Sequence, residues 1–437
     1  MKIVRPVLER FPQELEDQAH ADCKPIPMKT VLFLCAETFP PPYAFLDKVF
    51  NTFLGMNGFR MVWVMPSLET RKMRMVTWGN NPVILIPKVR PGNIFCLFQD
   101  YRQHFQYIKQ ASLSALKQHG PFHMVQVRDD PAMAYVAWRL AKKFRIPWVY
   151  QVSHLKEEES MMYCQMHIYG SRIKNLIKGI VGFFLRNFLL RRSDLVFPIS
   201  EQMKETLAGY GVSRNSMVPV SEGVDTAINP RHFAHDTERI REKLGLQNKK
   251  VIVYVGTMSR FRQLDFLLKA FKLVLEQHPN THLLMVGGDR KSEDFEWLKT
   301  KSATLGLGKN VTMTGWVPRM QVPAYIRVSC LGVSPVPVNR VYINSSPIKL
   351  LEYLALETPA VATDIPEQRK TLLESGGGIC TSWSVHDFAN AINNILHLTQ
   401  IERDAIGQHG REWVRKNRDF LVLGGKVYEA YRRLFST

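Results

Sequence analysis

Residues Lys250–Gly288 read KVIVYVGTMSRFRQLDFLLKAFKLVLEQHPNTHLLMVGG. An apolar, β-branched run (VIVYV) is followed by a turn that begins at Gly256, a stretch that reads as a helix, and a second apolar run (HLLMV) that again ends in glycine. Strands covered on both faces read as continuous apolar runs, and parallel neighbours need a crossover such as a helix between them. The segment is therefore a βαβ unit of a doubly wound sheet. Toward the C-terminus the series continues with VTMTG from Val311, LGVSPV from Leu331, PAVAT from Pro359 and GGICT from Gly377. An equivalent series precedes it: Thr30–Cys35, Arg60–Val64, Pro82–Ile86, His123–Val127, Trp148–Val152 and Leu195–Ile199. The fold class is α/β, with two Rossmann-like doubly wound parallel sheets.

Between the halves, VPVSEGVDTAINP (Val218–Pro230) has prolines, Gly223 and small polar residues that break any periodicity, which puts the hinge near residue 222. The expected division is a polar leader over 1–27, a first domain over 28–222 and a second over 223–418. The last stretch, 419–437, has Phe420, Leu423, Val427, Tyr428, Tyr431 and Leu434 at helical spacing and is expected to cross back onto the first domain.

The chain has 437 residues, 45% hydrophobic and 22% charged, enough for two cores, and no repeat or low-complexity tract. Lys and Arg outnumber Asp and Glu by 58 to 39, a +19 surplus that suits nucleic acid, anionic lipid or phosphorylated small molecules. No helix-turn-helix, zinc finger or aromatic RNA-binding motif is present, so nucleic acid is set aside as a partner. Cys23, Cys35, Cys96, Cys164, Cys330 and Cys380 are scattered without metal or disulfide spacing, which points to a reducing, cytoplasmic setting. Residues 1–28 lack the order of a secretory signal, and GIVGFFLRNFLL (Gly179–Leu190) is too short to span a bilayer. Residues 172–192, RIKNLIKGIVGFFLRNFLLRR, mix apolar side chains with six basic ones, the composition of a helix lying on an anionic membrane face. Packing of the apolar side on the first sheet is the competing account.

Ligands bind beyond the carboxyl ends of parallel strands, so two facing sheets form a cleft between them. In the turn Gly256-Thr257-Met258-Ser259-Arg260-Phe261-Arg262, glycine allows close backbone approach and the arginines can neutralise a pyrophosphate. In Asn344-Ser345-Ser346-Pro347-Ile348-Lys349-Leu350-Leu351-Glu352-Tyr353, Ser346 suits an N-cap and Pro347 the first helical position, which would aim free N–H groups at an anion. Lys349 and Glu352 are one turn apart, so a cation for phosphate and a carboxylate for sugar hydroxyls can face one ligand.

The pattern S-P-x-K-L-x-E-Y-x-A-x-x-x-P-x-V-A-T-D resembles the donor-site signature of retaining family 4-type glycosyltransferases with the GT-B fold. SDLVFPISE from Ser193, SEGVD at Ser221–Asp225, YVGT at Tyr254, VGG at Val286 and TGWVP at Thr314 follow in family order. The resemblance is strong over about 190–385 and weaker over the first 150 residues. It implies that Glu352 holds the nucleotide ribose, that Ser346 and Pro347 present backbone to the diphosphate, and that Lys349 lies nearby. Arg260 and Arg262 stand where the family pairs an arginine and a lysine after Gly256, and Trp316 and Val317 match positions that hold the nucleobase. Two departures are evident: Asn344 replaces a glutamate directed at the donor sugar, and Glu37–Tyr43 replaces a glycine-rich loop.

The resemblance implies a histidine or acidic residue near the transferred sugar about where His154 stands, just beyond the strand WVYQV, against a structural role for an isolated histidine. Asp129, in Arg128-Asp129-Asp130 beyond HMVQV, is the other candidate catalytic residue at the cleft, and capping by Asp130 before Pro131 is an equally good account of that run. The sequence has no D-x-D, so fixed cations and a helix dipole, rather than a metal or other cofactor, are expected to stabilise the leaving diphosphate. The function expected is transfer of a sugar from a UDP- or GDP-sugar to a saccharide or lipid-linked acceptor, in polysaccharide or glycolipid synthesis, in the cytoplasm or on the cytoplasmic membrane face. The alternatives are a sugar-nucleotide epimerase or hydrolase of the same fold, and a non-catalytic nucleotide-sugar-binding scaffold.

Overall fold

The computed structural model describes residues 28–41, 44–89, 97–288 and 292–436. The expected leader, Pro42 and Tyr43 of the first loop, and Cys23 and Cys96 lie outside them. The first half runs β1 (Lys29–Cys35), α1 (a π-wound Leu46–Phe53 continued by Leu54–Met56), β2 (Phe59–Ser67), β3 (Arg74–Trp78), β4 (Asn81–Pro87), α2 (Leu97–His119), β5 (Met124–Arg128), α3 (Pro131–Phe144), β6 (Trp148–Val152), α4 (Lys156–Met166), α5 (Arg172–Leu190), β7 (Leu195–Pro198) and α6 (Glu201–Gly209). The second runs α7 (Ala234–Lys243), β8 (Lys250–Val255), α8 (Asp265–Gln277), β9 (Thr281–Val286), α9 (Ser292–Thr304), β10 (Val311–Met313), α10 (Val322–Arg327), β11 (Leu331–Ser334), α11 (Ile348–Ala355), β12 (Ala360–Thr363), α12 (Pro366–Ser375), β13 (Gly378–Thr381), α13 (Val385–His397), α14 (Gln400–Asn417) and α15 (Phe420–Ser436).

The sheet orders are β3-β4-β2-β1-β5-β6-β7 and β10-β9-β8-β11-β12-β13. The second sheet is parallel throughout, and the first is parallel except for β3, which pairs antiparallel with β4 from Arg74↔Leu85 to Trp78↔Asn81. Sequence reading missed β3 because its side chains are mostly exposed or half-buried and give no apolar run; its signal was the turn Gly79-Asn80, with Gly79 at φ 58°. In each sheet the order reverses beside the first strand, between β1 and β5 and between β8 and β11, which places the clefts there.

Apolar clusters cover both faces of each sheet. The C-terminal helix crosses back: Phe420, Leu423, Val427, Ala430 and Tyr431 of α15 pack with Val31, Phe33, Phe59, Met61 and Trp63. Burying each such side chain stabilises by roughly 1.5–3 kcal/mol, which holds the crossing in place. Tyr431 Oη donates to the buried Gln126 carboxamide. The crossing runs beside the linker, where Val224 N donates to Arg418 O (3.0 Å) and Thr226 N to Asp419 Oδ2 (3.1 Å).

Candidate functional site

Three turns of the second sheet meet backbone to backbone. Gly256 after β8, Gly287 after β9 and Gly315 after β10 have φ of 144°, 121° and 69°, which L side chains avoid. Gly256 N donates to Val286 O (3.0 Å), and Gly287 N to Gly315 O (3.1 Å). A Cβ on Gly287 would lie 2.3 Å from Gly256 O, so this stacking requires glycine. The result is a smooth floor of main chain at the carboxyl ends of the strands.

Above this floor the structure gathers positive charge. From α11, Lys349 reaches back so that its Nζ lies 5.1 Å from the Tyr254 ring centroid and 3.6 Å from where a Gly256 Cβ would be. Burial, with help from the neighbouring Arg262, presses the Lys349 pKa down to about 7, and Glu352 only partly opposes this. Arg262 sits over the Tyr342 ring at 5.0 Å and its Nε donates to Thr257 Oγ1 (3.3 Å). Arg260 is directed elsewhere: its Nε lies 3.1 Å from Asp294 Oδ1, and its own amide donates to Asp294 Oδ2 (3.0 Å). Of the two candidate arginines, the structure brings Arg262 to Lys349 and holds Arg260 at Asp294.

Burial pushes the Glu352 carboxyl up, while Arg319 and Lys349 pull it down. Arg319 was missed in the sequence, although it directly follows the quoted TGWVP. Val317 packs partly against the core, whereas Trp316 is 80% exposed. The helix start differs from expectation by one residue: α11 begins at Ile348 after Pro347, with no side-chain cap, and Ser346 Oγ instead accepts from Glu222 N (3.3 Å). The serine is committed to the linker because the linker passes directly over the start of α11.

On the opposite wall, Arg128 at the end of β5 is buried among carboxylates, 3.5 Å from Glu222, 3.8 Å from Asp129 and 3.9 Å from Glu37. Asp129, at φ 62°, accepts from Ser153 N (2.6 Å) and from the Ser153 hydroxyl. Its carboxyl is held below the usual range by Lys156 and Arg128 despite burial. Asp129 thereby fixes the segment that carries His154, whose Nε2 lies 3.3 Å from Glu159 Oε1. Asp130 caps α3, accepting from Ala132 N (2.8 Å) and Met133 N (3.0 Å). Lys156 and Glu159 of α4 were not singled out in the sequence, since a charged first turn is common in any helix.

The halves touch at the ends of this cleft. Tyr163 of α4 meets Phe261 edge-on at 5.0 Å, and Tyr169 donates to the same Asp294 that holds Arg260. Asn344 is buried, where its Oδ1 accepts from Thr206 Oγ1 (2.7 Å) and its carbonyl from Ser200 Oγ (2.8 Å), both from the α6 region. This side chain joins the two halves and is not aimed at a sugar. Among the described residues no group of three or more His, Cys, Asp or Glu is arranged to hold a metal.

The family model described as Glycosyltransferase Family 4 matches residues 54–228, and that described as Glycosyl transferases group 1 matches 236–413. A GDP-mannose-dependent alpha-(1-6)-phosphatidylinositol monomannoside mannosyltransferase of Mycolicibacterium smegmatis is 24% identical over 243 residues, 54% of this chain and 62% of that protein. Spore coat protein SA of Bacillus subtilis is 23% identical over 258 residues, 54% of this chain and 64% of its own length. The match thus spans less than two thirds of these relatives. Among solved structures, sucrose-phosphate synthase from Thermosynechococcus elongatus superposes with a TM-score of 0.71 at 17% identity, over 93% of this chain and 99% of that one. That likeness fixes the fold as GT-B. With one family model on each half, in chain order, the chain belongs to the group 1, family 4-type glycosyltransferases of the GT-B fold.

Proposed function

We propose that the protein transfers a sugar from a nucleotide diphosphate sugar, UDP- or GDP-linked, to a hydroxyl of a saccharide or lipid-linked acceptor, with retention of configuration and without a metal. One observation carries the reading: Lys349 is desolvated beside Arg262 over a bare main-chain floor, so its charged form lacks the solvation that an anion lying on that floor would restore. A bound diphosphate would favour the charged lysine, and Lys349 with Arg262 would stabilise that diphosphate as it leaves. Glu352 would accept hydrogen bonds from the ribose, with Trp316 and Val317 beside the base and Ser346 and Pro347 presenting main chain. Arg260 would join after exchanging Asp294 for phosphate. On the facing wall His154 would sit at the transferred sugar, with Asp129 positioning it through Ser153. The Mycolicibacterium relative, named as GDP-mannose-dependent, supports a nucleotide-sugar donor. A place on the cytoplasmic face of a membrane belongs to the same reading.

The test is incubation of the purified protein with UDP- and GDP-sugars and membrane or saccharide acceptors. Release of UDP or GDP matched by label in a glycosylated product is the outcome expected. Binding without turnover across acceptors would favour a non-catalytic nucleotide-sugar-binding protein.

A further inference from the structure

The long helix α5 leaves much of its apolar surface outside the core. Toward the protein it buries Gly179, Arg186 and Asn187, and near its C-terminal end Leu189 and Leu190, which join the core of the first domain. Arg186 donates to Glu157 Oε2 (2.6 Å) and to both carboxylate oxygens of Glu158 (2.7 Å each), both on α4. Gly179 and Gly182 let the two helices close: a Cβ on Gly179 would lie 2.4 Å from Met161 Cγ, and one on Gly182 2.8 Å from Glu157 Cγ. The outward side is apolar. Ile173, Leu176, Ile177, Ile180, Val181, Phe184 and Phe188 are all exposed, from 40% to 68%. They fall within an arc of about 140° at 3.6 residues per turn, in which the buried Asn187 is the one other helix position. A contiguous exposed apolar face of this kind marks an interaction surface.

Charge identifies what covers it. Residues 172–192 contain no carboxylate, and Arg172, Lys178, Arg191 and Arg192 border the stripe at the exposed surface. Arg192 lies over the Phe188 ring at 3.6 Å, a cation placed at the edge of an apolar face. A protein partner would need an acidic and apolar groove, whereas an anionic bilayer offers apolar depth beneath a negative surface by its nature. No helix among the described residues is long and apolar enough to cross a membrane, so the contact is in-plane. The stripe begins next to the cleft. The loop before α5 carries Tyr169, bound to Asp294, and α4, packed beneath α5, presents Lys156 to Asp129 and Glu159 to His154.

We propose that this face of α5 docks on an anionic lipid bilayer and that the acceptor is a lipid borne by that bilayer, presented to His154 along α4. The acceptor half rests on the proposed transfer reaction; the docking half does not. The test is co-sedimentation of the full chain with vesicles of phosphatidylcholine and of phosphatidylcholine mixed with phosphatidylglycerol, for the wild type and the double variant Val181→Ser, Phe184→Ser. Both side chains are solvent-facing, so the variant should fold. The wild type is expected on the anionic vesicles, with binding reduced by salt, and the variant about tenfold weaker with nucleotide binding unchanged. Equal binding by wild type and variant, or equal binding to both vesicle types, would overturn docking. So would a wild-type dimer that the variant dissolves in sedimentation velocity without any vesicle binding. Label from the nucleotide sugar is expected in the organic extract of membranes; label only in water-soluble product would overturn the lipid acceptor. Vesicle binding that persists while nucleotide binding fails would count against the donor site and support docking as an independent property.

Discussion

Nucleotide-sugar binding should weaken as pH rises above about 7, and Lys349 is the cause. In the unliganded site its pKa falls from 10.5 to about 7. That shift corresponds to roughly 5 kcal/mol of unfavourable charging, at about 1.4 kcal/mol per pH unit. A diphosphate beside the ammonium favours the charged form, so the bound-state pKa must lie above the free one. Below the free pKa the lysine is charged in both states and affinity does not vary with pH on its account. Above it the free protein has lost a proton that the complex retains, so binding takes up a proton and affinity falls by up to about tenfold per pH unit. If the ligand recovers half the charging cost, the total loss is about fiftyfold before the bound-state pKa is reached. The assay is titration calorimetry with UDP-glucose and GDP-mannose between about pH 6 and 9 in two buffers of different ionisation enthalpy, which measures proton uptake directly. Lys349→Gln should bind weakly at every pH and with no uptake. Wild-type affinity that is level across this range, or a slope that survives in Lys349→Gln, would refute the reasoning.

Other substitutions test the parts separately. Gly287→Ala drives a Cβ into Gly256 O at a φ that L residues avoid, so it should part the stacked turns and lower nucleotide affinity at least tenfold, with a lower melting temperature. Arg186→Met leaves Glu157 and Glu158 buried without a cation and should destabilise by about 3–5 kcal/mol, read by chemical denaturation; adding Glu157→Gln and Glu158→Gln should recover part of the loss. His154→Ala should lower kcat by about 10²-fold or more while leaving UDP or GDP affinity within a factor of about two, as expected for a side chain at the transferred sugar on the facing wall.

Much of the fold was legible because buried parallel strands carry their signal in composition: VIVYV, HLLMV and WVYQV leave little else to form. β3 was not, since an edge strand exposed on one side has no apolar run. Helical spacing put Lys349 and Glu352 on one helix, as the structure has them, and Lys349 reaches Gly256. The donor-side signature could not separate Arg260 from Arg262. Their difference depends on Asp294, and no local pattern announces a partner 34 residues away. Ser346 and Asn344 show the same limit. Ser346 reads as a helix cap at the ligand and Asn344 as a departure from a sugar-directed glutamate, and both side chains are taken up by contacts across the hinge, to Glu222 and Thr206. The burial of Arg186 on α5 was likewise hidden, since it reads as a surface residue until Glu157 and Glu158 are brought beneath it.

The most direct test of the donor site is the affinity of UDP and GDP for wild-type protein and for Glu352→Ala. Two charge-assisted hydrogen bonds to the ribose would be lost, so affinity for the preferred nucleotide should drop about 100-fold with folding intact. Equal affinity in the two proteins, or no binding of either nucleotide to the wild type, would contradict the assignment of α11 and the glycine floor as the nucleotide site.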